Sequence, residues 1–253
     1  LINRARAAPE DEADRLDIEL NEGLEPGTIS DTPKQPLAFH PDLLTAARDH
    51  SQWMLDTDTF SHTGIDDTTP GERMERVGYV FAGTWTWGEN ISWGGSTGEI
   101  DVEQQTIARH EGLFRSSGHR TNIYQDDFNE IGLGVLEGEF TSDQTYNAVM
   151  ATQSFARSGD TPAPLLLGVV FADDNGNDFY DVGEGVDNVQ ITTADGDWQT
   201  VSSTSGGYAL PYTGDSGTMQ VTFAEGALSE PVTRQIEKTG KNLKLDLDIN
   251  SLV

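Results

Sequence analysis

Near residue 160 the chain changes its hydrophobic period, so one uniform architecture cannot hold both halves. Up to about residue 125 apolar residues recur every three to four positions. Ile2, Ala5, Ala13, Leu16 and Leu20 do so across an interruption at Pro9, and Leu43, Ala47, His50 and Met54 do so after Pro41. Asp101 to Phe114 reads as a third helix, while Thr84 to Trp93 reads as loop with a short strand. Strand-like text follows at Ile131 to Leu136 and Ala148 to Phe155. Beyond Ser158 to Pro164, a Pro-bearing stretch without period, only short β-type runs remain. These are Leu166 to Phe171, Val189 to Thr193, Gln199 to Ser203, Tyr208 to Leu210, Thr218 to Phe223, Val232 to Ile236 and Leu243 to Ile249. Short strands punctuated by Gly, Asp, Asn and Ser predict an antiparallel β-sandwich. The expected organisation is a domain over 1–157, a linker over 158–164 and a second domain over 165–253.

Charge removes one class of partner. The 253 residues carry 43 acidic against 15 basic side chains, a formal charge of -28. The only lysines are Lys34, Lys238, Lys241 and Lys244. Binding phosphates needs clustered cations, so a nucleic-acid role is not expected. The same charge favours solubility and capture of divalent cations. There is no cysteine, which rules out disulfides and thiolate chemistry and leaves the compartment open. No run of 18 apolar residues is present, so no transmembrane segment is expected. Starting at Leu1 inside a helical pattern, the sequence reads as a trimmed or mature fragment.

Three short Gly-bearing turns hold the chemistry. They are Phe60-Ser61-His62-Thr63-Gly64, Gly88-Glu89-Asn90 and Gly118-His119-Arg120. A neutral imidazole ligates a metal or moves a proton, and a carboxylate accepts or orients that proton. His50, His40 and His110 read as structural histidines instead, His50 because it falls on the core face of a helix. Glu89 also has a plain reading as a loop-orienting group. Trp85, Trp87 and Trp93 offer an aromatic wall near Glu89, or loop packing.

Taken in order, these turns together with Leu1 to Arg6, Leu43 to Met54, Arg76-Val77-Gly78-Tyr79, Gly118 to Ile123, Phe128 to Gly134 and Thr152 to Phe155 resemble the CAP superfamily. This is the SCP-like group of cysteine-rich secretory, antigen 5 and pathogenesis-related 1 proteins; the chain is most similar to its bacterial, cysteine-free branch. The resemblance covers residues 1 to 157. It implies an α+β chain whose first domain is an α-β-α sandwich, secreted or at the cell surface. It also implies a cleft of two histidines and two acids that holds a divalent metal such as Zn2+ in some members and lipid or sterol in others. His62, Glu89 and His119 match three of the cleft positions. For the fourth, Glu111 is a candidate, although counting back from Gly118-His119-Arg120 puts Ser116 near that place. Two histidines and one Glu suit zinc with an open position. No His-Glu-x-x-His occurs, and Ser61 points away from His62 in an extended segment. A binding or surface protein with an extracellular protein, lipid or glycan ligand is therefore expected, a metal-dependent hydrolase with Glu89 as base being the alternative.

A second constellation follows the linker. From Asp173 to Glu184, oxygen donors stand at loop positions 1, 3, 5, 9 and 12: Asp173, Asn175, Asn177, Asp181 and Glu184, with the Phe179 carbonyl at position 7. That is the spacing of a Ca2+ loop. Asp178 stands where the usual loop has Gly, and a strand, not a helix, leads in. With Gly168 to Phe171, Gly183 to Val186, Val189 to Ile191 and Ser205 to Tyr208, this loop resembles the calcium-binding B repeats of bacterial adhesins, the SdrD-type B and Cna-B-like group. The resemblance implies a calcium-rigidified spacer. Leu165 to Phe171 holds no lysine, so the isopeptide cross-link of some relatives is not expected.

Overall fold

The computed structural model describes residues 1–159, 164–194 and 198–252. It forms two compact units, Leu1–Asp160 and Thr161–Val253. Of the stretch expected as a linker, residues 160–163 lie outside the described residues, while Ser158 and Gly159 bond to the Ala82 backbone of the first unit.

In the first unit, helix α1 (Ile2–Ala7) and helix α2 (Pro9–Arg15) meet at Pro9, which opens α2 at a position needing no amide donor. After the short strand β1 (Ala38–Phe39) comes α3 (Pro41–Asp56), capped by the His40 ring accepting from the Asp42 amide. Its buried residues Leu43, Ala46, Ala47, His50, Ser51, Met54 and Leu55 form one stripe at helical spacing. Helix α4 (Pro70–Arg76) starts at a capping box in which Thr69 and Glu72 satisfy each other's amides. Strand β2 (Thr86–Ser96), α5 (Val102–Arg115), α6 (Ser117–Tyr124), β3 (Glu130–Thr141) and β4 (Thr145–Arg157) complete the unit.

The sheet order is β1-β3-β4-β2, so β2 is an edge. This corrects the expectation of a loop with a short strand at Thr84 to Trp93. β2 is continuous because it pairs with β4 along its whole length, from Thr86 opposite Arg157 to Ser96 opposite Asn147. One sheet face packs on α3 through Met54, Ile91, Ala148 and Met150, and the other on α1, α5 and α6 through Ala5, Phe114, Ile123 and Phe155. α3 lies against β3 backbone to backbone. A Cβ added to Gly132 would stand 2.0 Å from the Leu43 carbonyl, and one on Gly134 would stand 2.2 Å from the Ala47 oxygen.

The second unit has β5 (Leu165–Phe171), β6 (Gln190–Thr193), β7 (Gln199–Val201), β8 (Gly207–Pro211), β9 (Thr218–Ala224), β10 (Val232–Glu237), β11 (Leu243–Lys244) and β12 (Leu247–Asp248). One sheet runs β10-β9-β6-β7, all antiparallel. In the other, β5 pairs antiparallel with β8 but parallel with β11 and β12. The purely antiparallel expectation is corrected there. Leu166, Val170, Ile191, Leu210, Val221 and Phe223 draw both sheets into one core.

Candidate functional site

The site straddles the edge strand β2. Successive side chains on a strand face opposite ways, so Glu89 joins the α3 and α4 side while Asn90 joins the α6 side. Gly88, the residue before Glu89, has no room for a side chain. A Cβ there would meet Phe128 Cζ at 2.8 Å, an aromatic that belongs to the core beneath α6.

Glu89 has a side chain only 2% exposed and both its oxygens occupied. Oε1 accepts from His62 Nδ1 at 2.9 Å, and Oε2 accepts from Arg73 Nη2 at 2.5 Å. Arg73 also donates from Nη1 to the carbonyls of His62 and Thr68, each at 2.9 Å. His50 donates from Nε2 to the Ser61 carbonyl at 2.9 Å and stands 3.9 Å from Glu89 Oε1. The turn bearing His62 is thus held by backbone contacts on two sides and by its ring on a third, and the ring stays 52% exposed. Because Nδ1 donates to a carboxylate, the outward Nε2 of the neutral ring is an acceptor.

Burial pushes the His50 imidazole down to about 4, against the opposing pull of Glu89. Its Nδ1 is buried without a hydrogen-bond partner. A bare buried acceptor costs about 1–3 kcal/mol, so the position is more than a filler of the α3 stripe.

His119 comes from the opposite side. α6 places it one turn after Ser116, whose Oγ lies 2.8 Å from Nδ1. Burial, with His62 second, pushes the His119 imidazole below its ordinary range, which keeps it neutral near pH 7. Below it, Asn90 donates to the His119 carbonyl at 3.1 Å and to Gln153 Oε1 at 3.0 Å. Asn122 donates to Asn90 Oδ1 at 2.9 Å and to the Glu89 carbonyl at 3.3 Å. This amide network ties the strand carrying Glu89 to the helix carrying His119.

The structure therefore brings His62 and Glu89 into contact and sets His119 within electrostatic reach of His62. Glu111 is not brought in; its carboxylate takes Arg15 at 2.8 Å, beside the buried group formed by Glu12, Arg4 and His110. Ser116 takes the place beside His119 instead. The carboxylate of Glu89 also faces a cation, Arg73 of α4. Sequence reasoning missed Arg73, because an arginine in the last turn of a short helix reads as surface charge. The sole hint was its place after the Thr69-Pro70-Gly71-Glu72 helix start. The tryptophans do not form one wall: Trp93 packs at a tilt against Phe140 and Tyr146, Trp87 packs beside Met74 and Tyr79, and Trp85 leans on Phe81.

In the second unit the acidic loop closes on itself. Asp173 accepts from the amides of Gly176, Asn177 and Asp178, and these outweigh burial to hold its carboxyl below the usual range. Asp181 Oδ2 accepts from Asn175 and Asn177, and Glu184 accepts from the Asp174 and Asp181 amides. Asn177 Oδ1 accepts from the Phe179 amide. Asp178 has φ 59°, the left-handed turn a Gly would make, so the departure from the usual loop is conformationally met. Among the described residues, no three His, Asp or Glu side chains are gathered as ready metal ligands, in either unit.

Comparison with known proteins places these features. The sequence profile of CAP, the cysteine-rich secretory protein family, matches residues 1–155. An uncharacterised protein of Bacillus subtilis (strain 168), YkwD, is 33% identical over 103 residues, 41% of this chain and 36% of YkwD. An extracellular protein containing a SCP domain from Bacillus anthracis (strain Ames) is 27% identical at a TM-score of 0.38, over 49% of this chain and 35% of that one. An outer surface protein of Borrelia burgdorferi is 18% identical at a TM-score of 0.38, over 59% of this chain and 91% of its own. The match to the two Bacillus relatives spans little more than a third of their length.

Proposed function

The chain belongs to the CAP family of cysteine-rich secretory proteins, its match covering residues 1–155; from that premise we propose an extracytoplasmic binding protein whose cleft works by ligation and not by turnover. The observation that carries this reading is the state of Glu89. Its two oxygens are taken by His62 and Arg73 in a buried ion pair, so it orients an imidazole and is not a free base. Both His62 and His119 use Nδ1 locally, which leaves two Nε2 acceptors for a divalent ion such as Zn2+. Bound there, the ion would supply an open coordination position for a ligand oxygen or nitrogen.

The secretory character of the family supports a place outside the cytoplasm. Among the described residues no helix is long and apolar enough to cross a membrane. We read the second unit, 165–253, as a two-sheet sandwich of the adhesin B-repeat kind and the loop Asp173–Glu184 as its Ca2+ site. A ligand bound only in the folded state stabilises that state by mass action. The protein, lipid or glycan bound by the cleft is an extracellular partner in this reading.

The test is hydrolysis of casein and of a short-chain p-nitrophenyl ester by the full chain loaded with Zn2+. The expected result is no turnover above the free metal. Turnover lost in folded Glu89→Gln but kept in Asp173→Ala would instead establish the hydrolase alternative.

A further inference from the structure

A cavity of about 110 Å3 opens between α3 and α4, lined by Ala46, Asp49, His50 and Trp53 on one wall and by Ile65, Arg73, Arg76 and Val77 on the other. It borders the cleft cluster only through His50 and Arg73, and Glu89, His62 and His119 do not line it. Its two walls differ in kind. The α3 wall holds the His50 ring, 1% exposed, whose Nε2 donates to the Ser61 carbonyl and whose Nδ1 is buried. Asp49 adds an exposed carboxylate on the preceding residue.

The α4 wall offers donors. Arg73 is fixed by Glu89, but Arg76 is half exposed and meets Asp66 at 3.3 Å on the surface, so it is free to turn to an occupant. Apolar residues from both walls, Ala46 and Trp53 against Ile65 and Val77, fill the space between. An apolar cavity of about 150 Å3 holds a benzene ring, so this one suits a branched aliphatic group of about four carbons.

We propose that this cavity binds a small zwitterion, a branched-chain α-amino acid. Its ammonium faces the Asp49 and His50 wall, its carboxylate faces Arg76, and its side chain lies between Trp53 and Val77. Opposite charges on opposite walls select the zwitterion over either singly charged analogue, because each analogue leaves one wall unanswered. The proposal is independent of any metal in the cleft.

The experiment is calorimetric titration of the full chain with L-leucine, 3-methylbutanoate and 3-methylbutylamine, with the Trp53 indole N–H followed by NMR. Leucine is expected to saturate one site, shift that resonance and bind at least tenfold tighter than either analogue. Asp49→Asn and Arg76→Ala, both at exposed positions, are each expected to weaken leucine by about tenfold with unchanged melting. No saturable leucine binding, equal affinity for the three compounds, or leucine binding that neither substitution alters would each overturn the proposal.

Discussion

Glu89 is the residue on which most contacts of the first unit's site converge. Its partner Arg73 is 8% exposed, so Glu89→Gln leaves a buried guanidinium half-answered. Breaking a buried pair from one side costs about 3–5 kcal/mol, and denaturant unfolding of this variant should show a loss of that order. His62→Ala, whose ring is largely exposed, should melt close to the parent. His62, Glu89 and His119 were picked out by short Gly-bearing sequence motifs read as turns, but only His62 sits in one; Glu89 lies on β2 and His119 in α6. Arg73 was not foreseen, since an arginine on a short helix becomes a site residue only when another element buries it, whereas Ser116 was reached by counting back from Gly118-His119-Arg120. His50 sits where periodicity put it, on the buried stripe of α3. Its contact with the cluster comes from the Ser61 carbonyl, which the helix pattern does not foresee.

Elements set the precision of that site. α4 is a seven-residue helix, too short to be stable alone, and its capping box is what aims Arg73. Thr69→Ala should cost about 1 kcal/mol in thermal unfolding. It should also broaden the His62 ring resonances, because the guanidinium that holds the His62 carbonyl loosens. At the α3–β3 contact no side chain fits, and Gly132→Val should prevent folding, read as loss of dispersed NMR signals. Helices α3 and α5 were readable from period and caps alone. β2 was not, since Gly88, Gly94, Gly95, Glu89 and Asn90 weaken its strand propensity and only pairing with β4 overrides that. The parallel partners of β5 were hidden as well, being two-residue pieces from the far end of the chain.

At the scale of the whole molecule, two buried groups give acid sensitivity the same sign. His50 has a folded pKa of about 4 against an ordinary 6.5, so between those values only the unfolded chain takes the proton. Its contribution is complete above about pH 6.5 and drains as pH falls toward 4, on the order of 3 kcal/mol at most. Glu12 opposes desolvation with bonds from His110, Arg4 and Arg15 that push its carboxyl far down; it too stabilises above its unfolded value and is lost on acidification. Stability should therefore fall steadily from pH 7 to pH 4 in denaturant titrations, and His50→Gln should flatten the upper part of that slope. The charge of -28 adds self-repulsion at neutral pH, so moderate salt should raise the melting temperature. Ca2+ should raise it further, and Asp173→Ala should abolish that increment while leaving the cleft untouched. The most direct trial of the cleft is calorimetric titration of the full chain with Zn2+. One ion per chain should bind, the binding should vanish in His62→Ala and in His119→Ala, and Asp173→Ala should retain it. Zn2+ uptake that survives removal of both imidazoles, or no uptake by the parent chain, would contradict a ligating centre at these residues.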